Sequence, residues 1–119
     1  MKLMPIVYVT DMGRALDFYT ALGLTANHKD RAGMWSELRT GDALLGLHKT
    51  DSIPDQQVGQ VELALVSEEP LETVVTRFKA AGLTLEGEIT DEAFGRSIMV
   101  RDPDGLLIQI NEHEVELYT

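Results

Sequence analysis

The sequence predicts an α+β fold made of two similar modules, each in the order strand, helix, strand, strand, strand. Two helical stretches each carry one apolar stripe and end at a glycine, Gly23 or Gly82. Each stretch follows one β-rich run and precedes three more. The last two runs flank Asp102-Pro103-Asp104-Gly105, in which the proline and the glycine favour a tight turn and therefore a β-hairpin.

In the first half, a helix is expected to begin at Met12, with Thr10 or Asp11 as its N-cap. Its apolar stripe consists of Met12, Ala15, Leu16, Tyr19 and Leu22. The first strand contains Pro5, which is typical of a strand near a sheet edge. The predicted strands of this half cover residues 3–10, 24–29, 34–39 and 43–48.

The second half repeats this order after a polar stretch, residues 51–60, that is predicted to be a linker. Pro70 suits the first turn of its helix. The apolar stripe of that helix consists of Leu71, Val74, Val75, Phe78 and Ala81. Strands are predicted at residues 61–66, 83–89, 97–101 and 106–111, with a loop at 90–95. The chain is therefore expected to be a single domain, residues 1–119, with modules at 1–50 and 61–119.

Length, charge and composition limit the classes of function. The 119 residues suit one domain, and no apolar run approaches the roughly 18 residues of a membrane-spanning helix. The chain has no cysteine, so disulfides, thiolate metal sites and a thiol nucleophile are excluded. A net charge of −10 repels a phosphate backbone. We therefore expect a cytoplasmic protein with no membrane or nucleic-acid partner.

Because each helix has a single apolar stripe, it is expected to cover one face of its sheet and to leave the other face free for a ligand or a partner. In the last strand, Ile108 and Ile110 belong to the covered face, and Gln109 and Asn111 to the free one. Gln109 can both donate and accept hydrogen bonds, which suits a neutral polar ligand. Bonding to a neighbouring strand is the alternative.

Trp35 and Glu37 share one face of their strand, opposite Leu38. Trp35 is the only tryptophan, and its flat apolar area suits stacking on a planar ligand, although a place in the core or a dimer interface is the alternative. His48 shares its face with Gly46. It is either a ligand contact, a displaced metal ligand, or a polar residue at a strand end near solvent.

Further candidates lie on the other strands. Glu62 points to the free face if Leu63 meets the helix, although a strand start can also simply be solvated. Tyr8 and Met99 are expected on the free faces, and Phe94 ends a loop that could cap the site. The predicted ligand-binding residues are therefore Tyr8, Trp35, Glu37, His48, Glu62, Phe94, Met99, Gln109 and Asn111.

The order of elements, together with several short phrases, resembles the vicinal oxygen chelate superfamily. The phrases are Tyr8-Val9-Thr10-Asp11, Phe18-Tyr19, Leu22-Gly23-Leu24, Ala80-Ala81-Gly82 and Asp102-Pro103-Asp104-Gly105. That superfamily includes glyoxalase I, bleomycin-resistance proteins, fosfomycin-resistance enzymes and extradiol dioxygenases. The resemblance implies paired βαβββ modules with curled mixed sheets that form a cleft, helices on the outer face, and a homodimer.

The resemblance also implies where metal ligands, usually His, Glu or Gln, would lie in an enzyme of this superfamily. The corresponding positions here are Met4, Gly46, Val61 or Glu62, and Gln109. A catalytic divalent ion needs about three nitrogen or oxygen ligands, which Met4 and Gly46 do not supply. No metal, other cofactor or catalytic residue is therefore expected.

These observations favour a non-enzymatic binding protein of the bleomycin-resistance type, with a role in antibiotic resistance. It would sequester a flat, hydrophobic molecule in a dimer cleft, and its acidic charge favours a cationic one. One alternative is a metal-dependent lyase or isomerase, dioxygenase or thiol transferase with a drifted site at His48, Glu62 and Gln109. Another is an interaction module whose cleft is filled by partner residues.

Overall fold

The computed structural model describes residues 3–29, 33–57 and 62–114. In the first half these residues form β1 (Ile6–Val9), α1 (Met12–Ala21), β2 (Thr25–Lys29), β3 (Trp35–Thr40) and β4 (Ala43–Lys49). In the second half they form β5 (Leu63–Val66), α2 (Leu71–Ala80), β6 (Leu85–Glu92), β7 (Gly95–Arg101) and β8 (Leu107–His113). The predicted α+β fold with two strand–helix–three-strand repeats is confirmed.

The chain divides into two compact units, residues 1–61 and 62–119. The first unit holds a four-stranded sheet in the order β1-β4-β3-β2, and the second a four-stranded sheet in the order β5-β8-β7-β6. In each sheet the edge strand before the helix pairs in parallel with the last strand, and the other pairs are antiparallel. The two units are thus topological copies of each other.

Helix α1 begins where the sequence predicts, because the Asp11 side chain accepts a hydrogen bond from the Arg14 backbone N–H at 3.0 Å. Its buried residues are Ala15, Phe18 and Tyr19. The apolar stripe is therefore rotated towards Phe18, and the predicted stripe members Met12 and Leu16 are only half-buried. The helix packs against the sheet face that contains Val7, Val9, Leu38, Leu45 and Leu47, all of them buried.

Helix α2 has no side-chain cap of its own, because Pro70 stands at the N-cap position. Glu112 of β8 supplies the cap instead: its carboxylate accepts a hydrogen bond from the Leu71 N–H at 2.9 Å. The same carboxylate also accepts hydrogen bonds from Arg96 Nε at 2.9 Å and from Arg96 Nη2 at 3.0 Å. Arg96 also holds Glu72 in the first turn of α2, at 2.7 Å and 2.9 Å. This network fixes the start of the helix to β7 and β8.

The hairpin between β7 and β8 forms as predicted, closed by Gly105 N–H donating to the Asp102 carbonyl at 2.9 Å. Gly105 has φ of 88°, the left-handed conformation for which glycine is favoured. The Asp102 side chain is buried and accepts the N–H groups of Asp104 and Leu106 at 2.9 Å and 2.8 Å. Asp102 is therefore a structural residue of the turn.

Several strand boundaries in the second half differ from the prediction, most of all those of the predicted loop at residues 90–95. Residues 90–95 are not a loop, since β6 continues to Glu92 and only residues 93–94 form the turn to β7. A bulge explains the error: between Glu86, which pairs with Met99, and Thr90, which pairs with Ser97, β6 holds extra residues, among them Gly87 with φ of 77°. The strand resumes after this interruption, and β8 likewise extends to His113.

The predicted linker at residues 51–60 contains a short 3-10 helix, Asp55–Gln57, and its last part lies outside the described residues. Val61, where a strand was predicted to start, also lies outside them, and β5 is described from Leu63.

In the part of the chain that the structure describes, neither helix could cross a bilayer. Each has 10 residues. At about 1.5 Å per residue, such a helix spans roughly half of a hydrocarbon core of about 30 Å.

Candidate ligand-binding face

The face of the first sheet that α1 does not cover carries two cross-strand rows. Tyr8 of β1 pairs with His48 of β4, and His48 pairs with Trp35 of β3. Beside that row, Ile6, Gly46 and Glu37 are aligned in the same way. Since side chains alternate between the two faces of a strand, all six residues point away from the helix.

We call Tyr8, His48 and Trp35 the aromatic row. The centroid of the His48 ring lies 5.0 Å from that of Tyr8 at an interplanar angle of 33°, and 5.9 Å from that of Trp35 at 69°. These are ordinary distances for interacting rings. All three residues are half-buried. The row therefore places three adjacent rings across three strands, with the indole steeply inclined to the imidazole and part of each residue accessible to a ligand.

Gly46 determines where the Trp35 side chain lies. A Cβ atom at Gly46 would stand 2.7 Å from Trp35 Cη2 and 2.9 Å from Trp35 Cζ2, so the indole occupies the space that a side chain would take. The indole N–H donates to Glu37 Oε2 at 2.9 Å. The close approach to Gly46 and the hydrogen bond to Glu37 together restrict the orientation of the ring, which lowers the entropic cost of binding a planar ligand.

Gln57 supports the row from a region that the sequence analysis described only as a polar linker. Its side-chain oxygen accepts the Tyr8 N–H at 2.6 Å, and its side-chain nitrogen donates to the Tyr8 carbonyl at 3.0 Å. The amide thus pairs with the free edge of β1 as a neighbouring strand would. No pattern in the sequence points to this contact, because it joins residues 49 apart in the chain.

The uncovered face of the second sheet contains Gln109, opposite Met99 and Ala64. Gln109 and Met99 are half-buried. The Gln109 oxygen accepts a hydrogen bond from Asn111 Nδ2 at 2.9 Å, so the two predicted amides are bonded to each other. Asn111 is only 6% exposed, which leaves Gln109 as the more accessible polar group.

The remaining predicted residues occupy the ends of strands. The Phe94 ring, in the turn after β6, packs on His113 with centroids 5.2 Å apart. Strand β5 turns Leu63 to the half-buried side and leaves Ala64 exposed. Glu62 precedes this strand and is exposed. Of the nine predicted ligand-binding residues, Tyr8, Trp35, Glu37 and His48 lie on the first sheet. Phe94, Met99, Gln109, Asn111 and Glu62 belong to the second unit.

The residues do not fit the metal centre that the superfamily resemblance implies. The position at Gly46 has no donor, and the Trp35 ring fills the space where a ligating side chain would stand. The oxygen of Gln109, the atom that would bind a hard ion, already accepts a hydrogen bond from Asn111. Among the described residues, no group of three or more His, Cys, Asp or Glu side chains is arranged to hold a metal.

A groove of about 570 Å³ lies between α2 and β6. It is lined by Val75, Lys79, Leu83, Leu85, Gly87, Glu88, Ile89 and Ile98. It contains none of the predicted ligand-binding residues, and its residues come from the bulged part of β6 and the helix side of the sheet. The aromatic row therefore remains the best supported ligand surface. It contains three of the predicted residues, and the orientation of the Trp35 ring is restricted by Gly46 and Glu37.

Replacing Gly46 with alanine is expected to displace the Trp35 indole. The added methyl group would overlap two ring carbons, so the ring, whose N–H is bonded to Glu37, has to move. The displaced ring would be more exposed to water, so its fluorescence emission would shift to the red, with a loss of about 1 kcal/mol in unfolding free energy. Because Trp35 is the only tryptophan, an emission spectrum measures this directly. An unchanged spectrum would contradict the packing described above.

Comparison with known proteins agrees with the fold. A virulence protein from Salmonella typhimurium is 26% identical, covers 96% of each chain and has a TM-score of 0.73. A lactoylglutathione lyase from Agrobacterium tumefaciens is 21% identical over 94% of this chain and 92% of its own, with a TM-score of 0.74. A bleomycin resistance determinant encoded on the transposon Tn5 is 20% identical over 96% and 98%, with a TM-score of 0.75.

The family assignment comes from a sequence model. The model described as the Glyoxalase/Bleomycin resistance protein/Dioxygenase superfamily matches residues 3–110, which is nearly the whole chain. The match confirms the resemblance found in the sequence. The chain belongs to the Glyoxalase/Bleomycin resistance protein/Dioxygenase superfamily.

Proposed function

We propose that this protein binds a planar hydrophobic small molecule and sequesters it without chemical conversion. The observation that carries the proposal is the aromatic row, in which three rings from three strands lie next to one another and offer partly exposed ring area. Stacking on such a surface gives affinity through buried apolar area and ring contacts, and needs no reactive group.

The arrangement around Trp35 supports binding more than catalysis. In an enzyme of this superfamily a metal ligand would be expected at Gly46, and here the indole of Trp35 lies over that position. The ring is oriented by Glu37, and the backbone of Tyr8 is held by Gln57. These contacts pre-organise apolar surface, which increases affinity by lowering the cost of ordering the site.

A bleomycin resistance determinant is among the structural neighbours, so we propose bleomycin-like antibiotics as the first ligands to test and antibiotic resistance as the biological role. We also propose that the protein works in the cytoplasm as a homodimer. Large apolar residues on the uncovered sheet faces support a second copy as the partner: Ile6 is 46% exposed, Val66 59% and Leu107 37%.

The experiment that tests binding uses Trp35 itself as the reporter, because no other tryptophan contributes to the emission. Titration with metal-free bleomycin, and with the planar dye 9-aminoacridine, is expected to quench its fluorescence saturably. Replacing Trp35 with alanine should weaken the affinity, measured by calorimetry, about tenfold, since stacking on an aromatic ring contributes about 1–3 kcal/mol.

The matched variant is Trp35→Phe, which keeps an aromatic face and should retain most of the affinity. Thermal unfolding of both variants checks that they fold. Two results would overturn the proposal: no saturable binding of either probe to the wild-type protein, or turnover of a glutathione–methylglyoxal adduct when a divalent metal is added.

A further inference from the structure

Glu37 differs from Glu112, another half-buried carboxylate that is engaged with protein groups. Glu112 receives three hydrogen bonds, two of them from the Arg96 guanidinium and one from the Leu71 N–H. Glu37 receives one hydrogen bond among the described residues, and its donor is the neutral indole of Trp35. The negative charge of Glu37 is thus not balanced by a described cationic side chain.

The cationic residue that follows on the same face of β3 does not change this. Arg39 lies two positions along the strand, is exposed, and forms no ion pair with Glu37 within the part of the chain that the structure describes. A half-buried carboxylate without a counter-charge is costly, because part of its hydration is lost without compensation. A positively charged partner from outside the chain would offset that cost.

The geometry gives Glu37 one oxygen for such a partner. Oε2 accepts the Trp35 N–H, and Oε1 receives no hydrogen bond from the described residues. The free oxygen therefore lies beside the indole ring and next to the row that continues to His48. A cation there would meet a carboxylate oxygen that no described residue bonds to, and a charged N–H group forms a strong hydrogen bond with such an oxygen.

We propose that Glu37 selects positively charged ligands: a planar aromatic cation stacks on the aromatic row and places its charged N–H group on Glu37 Oε1. This inference rests on the proposed binding function and names the charge class that the same site prefers. The net charge of −10 on the whole chain acts in the same direction, since it attracts cations at long range.

The test compares two ligands with one ring system. 9-Aminoacridine is a cation at neutral pH, and acridone is a neutral molecule of nearly the same size and shape. With the wild-type protein, calorimetry is expected to give an affinity about tenfold higher for 9-aminoacridine, as hydrogen bonds to charged groups contribute about 1.5–3 kcal/mol. This preference should shrink as salt is added, because ions screen the charge of a partly exposed site.

Glu37→Gln is the informative variant. Its side-chain oxygen can still accept the Trp35 N–H, so the ring stays oriented while the charge is removed. The affinity for 9-aminoacridine should fall about tenfold to the level of acridone, whose own affinity stays the same. Asp42→Asn is the control: it removes one negative charge from an exposed turn residue of the same unit, and both affinities should stay within about twofold of wild type.

The outcomes separate this inference from the proposed function. If both probes bind the wild-type protein equally, or if Asp42→Asn lowers the cation affinity as much as Glu37→Gln does, Glu37 does not select charge and the binding function stands. If Glu37→Gln lowers the affinities for both probes by the same factor, Glu37 acts only by orienting Trp35, and the inference is overturned. If neither probe binds the wild-type protein, the proposed function and this inference fail together.

Discussion

Replacing Gly95 with alanine is expected to lower the free energy of unfolding by about 3 kcal/mol, the largest effect of any single change proposed for this protein. Gly95 has φ of 146°, a conformation that side chains with a Cβ rarely adopt. An added Cβ would overlap the Glu112 carbonyl oxygen and stand 2.9 Å from the Glu114 nitrogen. Both obstacles are backbone atoms of the neighbouring segment, so they cannot rotate away.

Gly105→Ala is the matched control for this experiment. Gly105 also has a positive φ, 88°, but nothing lies within 4 Å of an added Cβ. Only the backbone strain remains, so the expected loss is about 1–2 kcal/mol. Urea denaturation of the two variants separates strain from overlap. Equal losses would mean that β7 shifts to accept the methyl group and that the close approach to β8 is not rigid.

Replacing Glu112 with alanine is expected to lower the free energy of unfolding by about 2 kcal/mol. The change removes the only described side-chain cap of α2 and one partner of Arg96. Glu69→Ala is the control. Glu69 also pairs with an arginine, Arg77, at 2.7 Å, but both side chains are exposed, at 48% and 44%. Such a surface pair contributes at most about 1 kcal/mol. If the two variants lose equal stability, Glu112 is not acting as a cap.

The stabilising effect of Glu112 should also depend on pH. Its hydrogen bonds with Arg96, and then the Leu71 N–H, hold the pKa of this carboxyl below its ordinary value of 4.5. Arg96 lowers the pKa of Glu72 in the same way. For a lowered pKa, the stabilisation is complete above the unfolded value and is lost as the pH falls through the folded one. The difference in unfolding free energy between wild type and Glu112→Gln should therefore shrink below pH 4.5.

Elements with strong local signals could be predicted from the sequence. The start of α1 is fixed by Asp11, and the β7–β8 hairpin by the turn that ends at Gly105. Both signals act over a few residues, so no knowledge of the tertiary structure is needed. The end of β6 was predicted wrongly, because a bulge at Gly87 interrupts the alternation while pairing with β7 continues beyond it.

The candidate site, like the fold, could be predicted only in those features that depend on local sequence. Alternation along the strands places Tyr8, Trp35 and His48 on the uncovered faces. Their alignment into one row depends on the register between β1, β4 and β3, which local sequence does not specify. The contact of Gln57 with Tyr8 was not predicted, because it joins distant residues through side-chain geometry.

The sequence by itself determined the repeated strand–helix–three-strand order and a first helix that begins at Met12 and ends before Gly23, since both follow from residue type and local spacing. At the positions where the superfamily resemblance implies metal ligands, it also showed that Met4 and Gly46 have poor metal-ligating chemistry. Only the tertiary structure decided that the indole of Trp35 lies over Gly46 and bonds to Glu37, leaving one carboxylate oxygen without a described partner. The reason is physical: charge balance and ring orientation depend on neighbours brought together by strand pairing, and those neighbours are not adjacent in the chain.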